Sequence, residues 1–112
     1  MWRATWVAGP ACGGSVLLGE GRHLVGRSEL ATVRCDDRLL ESFHVHLEVT
    51  ACWLELVQLS GRAPVVLDGD LLDCSATLEP TGCHVLDLGA SRLELLPYRP
   101  SPRGTLQLAS AA

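Results

Sequence analysis

The chain has 112 residues, a formal net charge of −4 and 47% apolar residues, enough for one domain with one core. All nine of its basic residues are Arg and none is Lys, which excludes a P-loop and Schiff-base chemistry. The acidic balance argues against general binding to a nucleic-acid backbone. The five cysteines, Cys12, Cys35, Cys52, Cys74 and Cys83, are odd in number and include no C-x-x-C pair, so a zinc ribbon or a thioredoxin-type site has no support. They read as small, half-buried hydrophobes in a reducing cytosol, which makes the expected location cytoplasmic. Thr5, Gly9 and Pro10 interrupt the N-terminal apolar residues as no secretory signal would. No stretch approaches the ~20 apolar residues of a spanning helix.

In chain order, the sequence reads as short strands cut by turns. Trp2–Val7 closes at Gly9-Pro10 and Gly13-Gly14, and Ser15–Leu18 ends at Gly19-Glu20-Gly21. Arg22–Gly26 and Thr32–Cys35 follow. Phe43–Val49 alternates, with Phe43, Val45, Leu47 and Val49 on one face and His44, His46 and Glu48 on the other, the period of a half-buried strand. Cys52–Leu59 is next. Pro64–Leu67 meets the turn Asp68-Gly69, and Leu71–Cys74 returns. Cys83–Leu88 and Ser91–Leu96 form a hairpin around Gly89-Ala90. Such spacing, without a helical stripe, predicts an all-β antiparallel sandwich of about ten or eleven short strands. Val45, Leu47, Leu54, Leu56, Val85, Leu93 and Leu95 are its expected core. The domain is expected to span residues 1–97. Residues 98–112, rich in Pro and then in Ala and Ser, read as a linker or disordered tail.

Four motifs, in order, carry a family resemblance. Gly21-Arg22-His23-Leu24-Val25-Gly26-Arg27 resembles the Gly-Arg strand of forkhead-associated (FHA) domains. Glu41-Ser42-Phe43-His44-Val45-His46-Leu47 stands where that family has Ser-Arg-x-His-Ala-x-Ile. Leu59–Pro64 with Leu67-Asp68-Gly69 replaces its Asn-Gly loop and Val-Asn-Gly turn. Leu78–Gly82, Val85–Leu88, Gly89 and Leu93–Leu95 are similar to its closing strands. The resemblance covers Trp2 to about Leu96. Its flavour is that of the N-terminal FHA domains of actinobacterial FtsK/SpoIIIE-type ATPases, where the module precedes the motor by a linker. It implies an FHA/SMAD-like sandwich and a regulatory, non-enzymatic protein-interaction module. The partner would be a protein or phosphoprotein, or the parent chain itself, with no cofactor, no bound nucleic acid and no membrane segment.

In that family, loops at one end of the sandwich bind a phosphothreonine peptide. The resemblance assigns Arg27, with Ser28 beside it, to the phosphate. Glu41 and Ser42 fall where the second phosphate contact comes from, and Arg62 falls where the peptide backbone is held. Glu41 replaces a Ser, and the Asn of the third contact is missing. A carboxylate beside a phosphate repels it and can satisfy Arg27 in its place. Arg27, Arg38 and Arg62 face Glu29, Asp36, Asp37 and Glu41, so the rim is not one that attracts a dianion. A degenerate phosphate site is therefore expected. A relic Arg27–Glu41 ion pair and a working phosphopeptide site both remain open. His44 matches the family His and is read as a structural brace of the loop. The competing reading is a small metal-binding β protein with His44, His46 and Glu48 on one strand face. No Gly-x-Ser-x-Gly elbow is present. Asp68, Asp70 and Asp73 read as a solvated hairpin end. Trp2, Trp6 and Trp53 read as core, against a base-stacking platform that would need a basic stripe.

Overall fold

The computed structural model describes residues 1–59 and 63–98; Arg62 and the tail from residue 99 lie outside the described residues. Eleven strands run in chain order: β1 Trp2–Ala8, β2 Ser15–Leu18, β3 Gly21–Gly26, β4 Val33–Arg34, β5 Val45–Val49, β6 Leu54–Gln58, β7 Val65–Leu67, β8 Asp70–Leu71, β9 Ser75–Leu78, β10 His84–Leu88 and β11 Ser91–Pro97. They form two sheets, ordered β2-β1-β11-β10-β7-β8 and β4-β3-β5-β6-β9. The sandwich expected from the alternation is present. Among the described residues no helix occurs, and so none is long and apolar enough to cross a membrane.

Alternation explains the packing. In β1 and β11 every second residue is buried, so Trp2, Ala4 and Trp6 meet Leu93 and Leu95 across one inner face. Val45, Leu47 and Val49 of β5 pair with Val25 of β3 and with Leu54 and Leu56 of β6 on the other. Full burial of such a side chain is worth about 1.5–3 kcal/mol, and it also sets the register, because a one-residue slip would expose every one of these residues.

The structure corrects several sequence expectations. Val85 is only half-buried, and Leu86 and Leu88 are inside in its place. The cause is register: Leu86 lies opposite Leu93 of β11 and Leu67 of β7, and paired residues share a face. β4 pairs parallel with β3, so the second sheet is mixed, not wholly antiparallel. The return strand after Asp68-Gly69 is only Asp70–Leu71, and a separate strand, Ser75–Leu78, follows it. Trp2 and Trp6 are core, but Trp53 is exposed. Of the cysteines, only Cys35 is buried; Cys12, Cys52, Cys74 and Cys83 are exposed thiols.

Two hairpins follow their turn chemistry. Asp68 and Gly69 both have positive φ, +50° and +89°, as a type I′ turn between β7 and β8 requires. Asp68 also fixes this hairpin to β10. Its Oδ1 accepts the Val85 amide at 2.7 Å and its Oδ2 lies 2.7 Å from His84 Nδ1. Burial pushes the Asp68 carboxyl up, but the bond from His84, the Val85 amide and the His84 charge outweigh it and hold it below the usual carboxylate range. It is thus a structural tie more than part of a solvated hairpin end.

Candidate functional site

Strand register gathers one set of loops at one end of the sandwich. Residues 27–32 leave β3, residues 35–44 enter β5, and Leu59, just after β6, and Ala63, just before β7, lie beside them, tied to His44. The β10–β11 turn reaches the same end, because Leu88 pairs with both Ser91 and Val65.

Main-chain hydrogen bonds lock the first two loops side by side. The Arg27 amide donates to the Glu41 carbonyl at 3.0 Å and the Ser28 amide to the Ser42 carbonyl at 3.1 Å. Gly26 makes this approach possible, since a Cβ there would overlap the Ser42 carbonyl oxygen. This gives the Gly of the Gly-Arg pair a steric reason. Arg27, Ser28, Glu41 and Ser42 are therefore brought together.

Arg27 is partly spent within this cluster. Its side chain is 40% exposed, and its Nε lies 3.9 Å from Asp36 Oδ1 as an ion pair. That Nε is shielded from solvent and donates no hydrogen bond among the described residues. Arg27 also acts on Asp37 through its charge.

His44 is fully buried, as the residue just before β5. Its Nδ1 accepts the Glu41 amide at 3.1 Å, so the proton sits on Nε2, which donates to the Ala63 carbonyl at 3.1 Å. Its own amide donates to Val25 and its carbonyl accepts the Leu59 amide. One side chain thus joins the loop before β5 to the loop after β6. The same geometry corrects the metal reading. His44 does not share the solvent-facing side of His46 and Glu48, and both its ring nitrogens are engaged. Among the described residues, no group of three His, Cys, Asp or Glu is placed to hold a metal ion.

Asp37, counted in the sequence as a rim charge, is buried. Its Oδ1 accepts the Leu39 amide at 2.9 Å; its Oδ2 accepts the Ala90 amide at 2.8 Å and the Ser91 hydroxyl at 2.7 Å. Cys35 Sγ lies 3.3 Å from the Ser91 hydroxyl. Burial pushes the Asp37 carboxyl up, but the Leu39 amide, the Ser91 hydroxyl, the Ala90 amide and the Arg27 charge together hold it below its ordinary value. Asp37 ties a loop of one sheet to the hairpin turn of the other, where Gly89 has φ +59° and a Cβ would come within 2.9 Å of Asp37 Oδ2. Sequence reading missed this tie, because an Asp in a polar loop gives no sign of burial.

It also missed three leucines. Leu30, Leu39 and Leu59, one on each loop, are 83%, 52% and 51% exposed. The signal available was an apolar residue in each loop where polar residues are the rule.

No family model matches the chain, and no curated protein matches it. Solved structures do. The FHA domain of the CT664 protein from Chlamydia trachomatis superposes with a TM-score of 0.76 at 20% identity, over 88% of this chain and 98% of that one. The FhaA FHA domain, solved in complex with the intracellular domain of Rv3910, gives 0.73 at 18% identity over 85% and 99%. A structure from an analysis of phosphothreonine-dependent FHA domain interactions gives 0.74 at 18% identity over 88% and 97%. Eleven strands in this order, with Arg27 and His44 on loops at one end, constitute the fold of a forkhead-associated domain.

Proposed function

We propose that the chain is a protein-interaction module that recognises its partner through the loops 27–32 and 35–44, with a phosphate site that is degenerate. The observation that carries this reading is the locked pair of loops around a half-exposed Arg27, with Glu41 beside it and Asp36 already paired to it. The FhaA domain held a protein partner and another neighbour was studied for phosphothreonine-dependent interactions, which supports a protein ligand for this fold. His44 braces the surface from beneath. By the family resemblance Arg62 would hold the peptide backbone; it lies outside the described residues. The tail beyond Tyr98 would lead to a larger FtsK/SpoIIIE-type protein in which this module is regulatory.

A phosphate carries about −1.5 to −2 charges at neutral pH and needs donors to offset its desolvation. This surface offers Arg27, whose charge is compensated by Asp36 and Asp37. Phosphothreonine peptides are accordingly expected to bind at a Kd on the order of a millimolar, about 4 kcal/mol. Glu41→Ser should tighten binding, and adding Arg27→Ala should abolish that gain. Titration of a phosphothreonine peptide library against the wild type and both variants is the test. Low-micromolar binding by the wild type, lost on dephosphorylation, would show that the phosphate site is intact.

A further inference from the structure

The edge of a sheet leaves main-chain donors and acceptors unpaired, and three of the four edges in this sandwich are guarded. The edge strands are β2 and β8 of one sheet and β4 and β9 of the other. β4 and β8 have two residues each and carry Arg34 and Asp70. β9 stands between Asp73 and the pair Glu79-Pro80. β2 is Ser-Val-Leu-Leu, flanked by Gly14 and Gly19, with no charge and no Pro. Its free groups follow from its bonds to β1. The Trp6 amide donates to the Gly14 carbonyl at 2.8 Å. The alternation of an antiparallel ladder then gives the next bonded pairs as Ala4–Val16 and Trp2–Leu18. The N–H and C=O groups of Ser15 and Leu17 therefore point away from the sheet, and among the described residues no strand lies beyond them. The Leu17 side chain is 46% exposed, in one row with Arg3 and with the exposed Leu96. On the other side of the strand, Trp6, Gly14, Val16, Val33 and Arg34 line a groove of about 250 Å³ between the β2 and β4 edges.

The strand's own symmetry selects the occupant. Residues directly opposite in an antiparallel pair share a face, so a two-fold axis can set Leu17 of one copy against Leu17 of another. In that register each Leu17 exchanges both its hydrogen bonds with its counterpart, and Ser15 does the same with Gly19 of the second copy. Val16 meets Leu18, and the two rows of Leu17, Arg3 and Leu96 become continuous. Glu20 of each copy falls opposite Gly14 of the other. Gly14 and Arg34 line the same groove, so Glu20 comes within reach of Arg34 of the second copy, twice over. Both residues are exposed, and neither forms an ion pair among the described residues. The other charges beside this edge already have neighbours: Arg3 stacks on the Tyr98 ring at 4.9 Å, and Arg22 lies opposite Glu48 on β5. We infer that β2 is the docking edge for a second copy of this chain, and that antiparallel β2–β2 pairing joins the two six-stranded sheets into one across a two-fold axis. The inference goes beyond the interaction-module reading and uses no residue of the loops 27–32 and 35–44.

Sedimentation velocity of the whole chain at rising concentration, in reductant, tests this. One strand edge buries little area, so the expected dimer is weak, with a Kd on the order of 100 µM. Leu17→Lys brings two like charges together at the axis and should weaken the dimer by at least about tenfold. Glu20→Arg and Arg34→Glu, made singly, each set like charges together twice and should also weaken it by about tenfold. An equimolar mixture of those two variants should dimerise as well as the wild type, because each then meets the opposite charge on the other copy. An ion pair within one chain would show no such rescue. Thr77→Lys, on the β9 edge, should change nothing. All four positions are exposed, and circular dichroism confirms that each variant is folded. A chain that stays monomeric up to about 1 mM, ten times the expected Kd, would overturn the inference. So would a dimer that survives Leu17→Lys, a mixture without rescue, or a dimer lost on Thr77→Lys. If the chain stays monomeric and extended peptides from a displayed library bind it in a way that Leu17→Lys abolishes, the edge takes another protein's strand and the second copy is refuted. Every one of these outcomes leaves the loop reading standing, because phosphothreonine titration addresses it separately.

Discussion

Removing the Asp37 carboxylate should cost the sandwich a large share of its stability, although the residue is an acid in a loop. In Asp37→Ala three donors lose their acceptor: the Leu39 amide, the Ala90 amide and the Ser91 hydroxyl. The hydroxyl can turn toward Cys35 Sγ, 3.3 Å away. The Leu39 amide, on an exposed residue, can find water. The Ala90 amide, also on an exposed residue, loses its charged acceptor and must turn to water. A hydrogen bond to a charged group is worth about 1.5–3 kcal/mol, and an unsatisfied buried donor costs about 1–3 kcal/mol, so a loss of about 3 kcal/mol is expected. For a domain of this size that lowers Tm by about 12–24 °C. Asp37→Asn should behave almost as badly, because its amide group must set an N–H against one of the three donors. Burial pushes the Asp37 carboxyl up and its donors and Arg27 outweigh that, so its folded value lies below the unfolded one. Its contribution is therefore complete above the unfolded value, about 3.9, and is lost as pH falls through the folded value. The gap between wild type and Asp37→Asn should stay constant at neutral pH and close below about pH 4. Urea unfolding followed by tryptophan fluorescence at several pH values measures all of this. A loss below about 1 kcal/mol, or a gap that widens in acid, would refute the reasoning.

Gly26→Ala places a Cβ against the Ser42 carbonyl, a backbone atom that cannot swing aside; it should cost at least about 2 kcal/mol in the same assay. Cys74 holds φ +77° without being Gly, so Cys74→Gly should stabilise the fold by about 0.5–1 kcal/mol, read as a raised urea midpoint. Truncation after Tyr98 should move Tm by no more than about 2 °C in differential scanning fluorimetry, as the Pro-rich and then Ala- and Ser-rich composition of the removed residues leads one to expect.

Much of this architecture was readable from the residues. Period-2 alternation over Val45–Val49 placed that strand and its inner face correctly, because one side of it is buried. The Asp68-Gly69 turn announced its hairpin through residues that tolerate positive φ. Strand β9 was not readable, since Ser-Ala-Thr-Leu offers little apolar signal and the turn before it is made at Cys74, where no Gly or Pro marks it. The phase of β10 was misread, because Val85, Leu86 and Leu88 fit either face and only pairing with β11 decides. At the candidate site, the motifs led to Arg27 and His44. The burial of Asp37 and the pairing of Arg27 with Asp36 depend on loops meeting across two sheets, which no local pattern encodes.

The most direct test of the account is backbone-amide NMR mapping of the 15N-labelled chain during titration with a phosphothreonine peptide. The account predicts small, fast-exchange shifts, unsaturated at millimolar peptide, centred on residues 27–32 and 35–44, Leu59 and the Gly89-Ala90 turn. Shifts centred on the opposite end of the sandwich, where Thr50–Trp53, Pro80 and Tyr98 line a cleft of about 270 Å³, would contradict it.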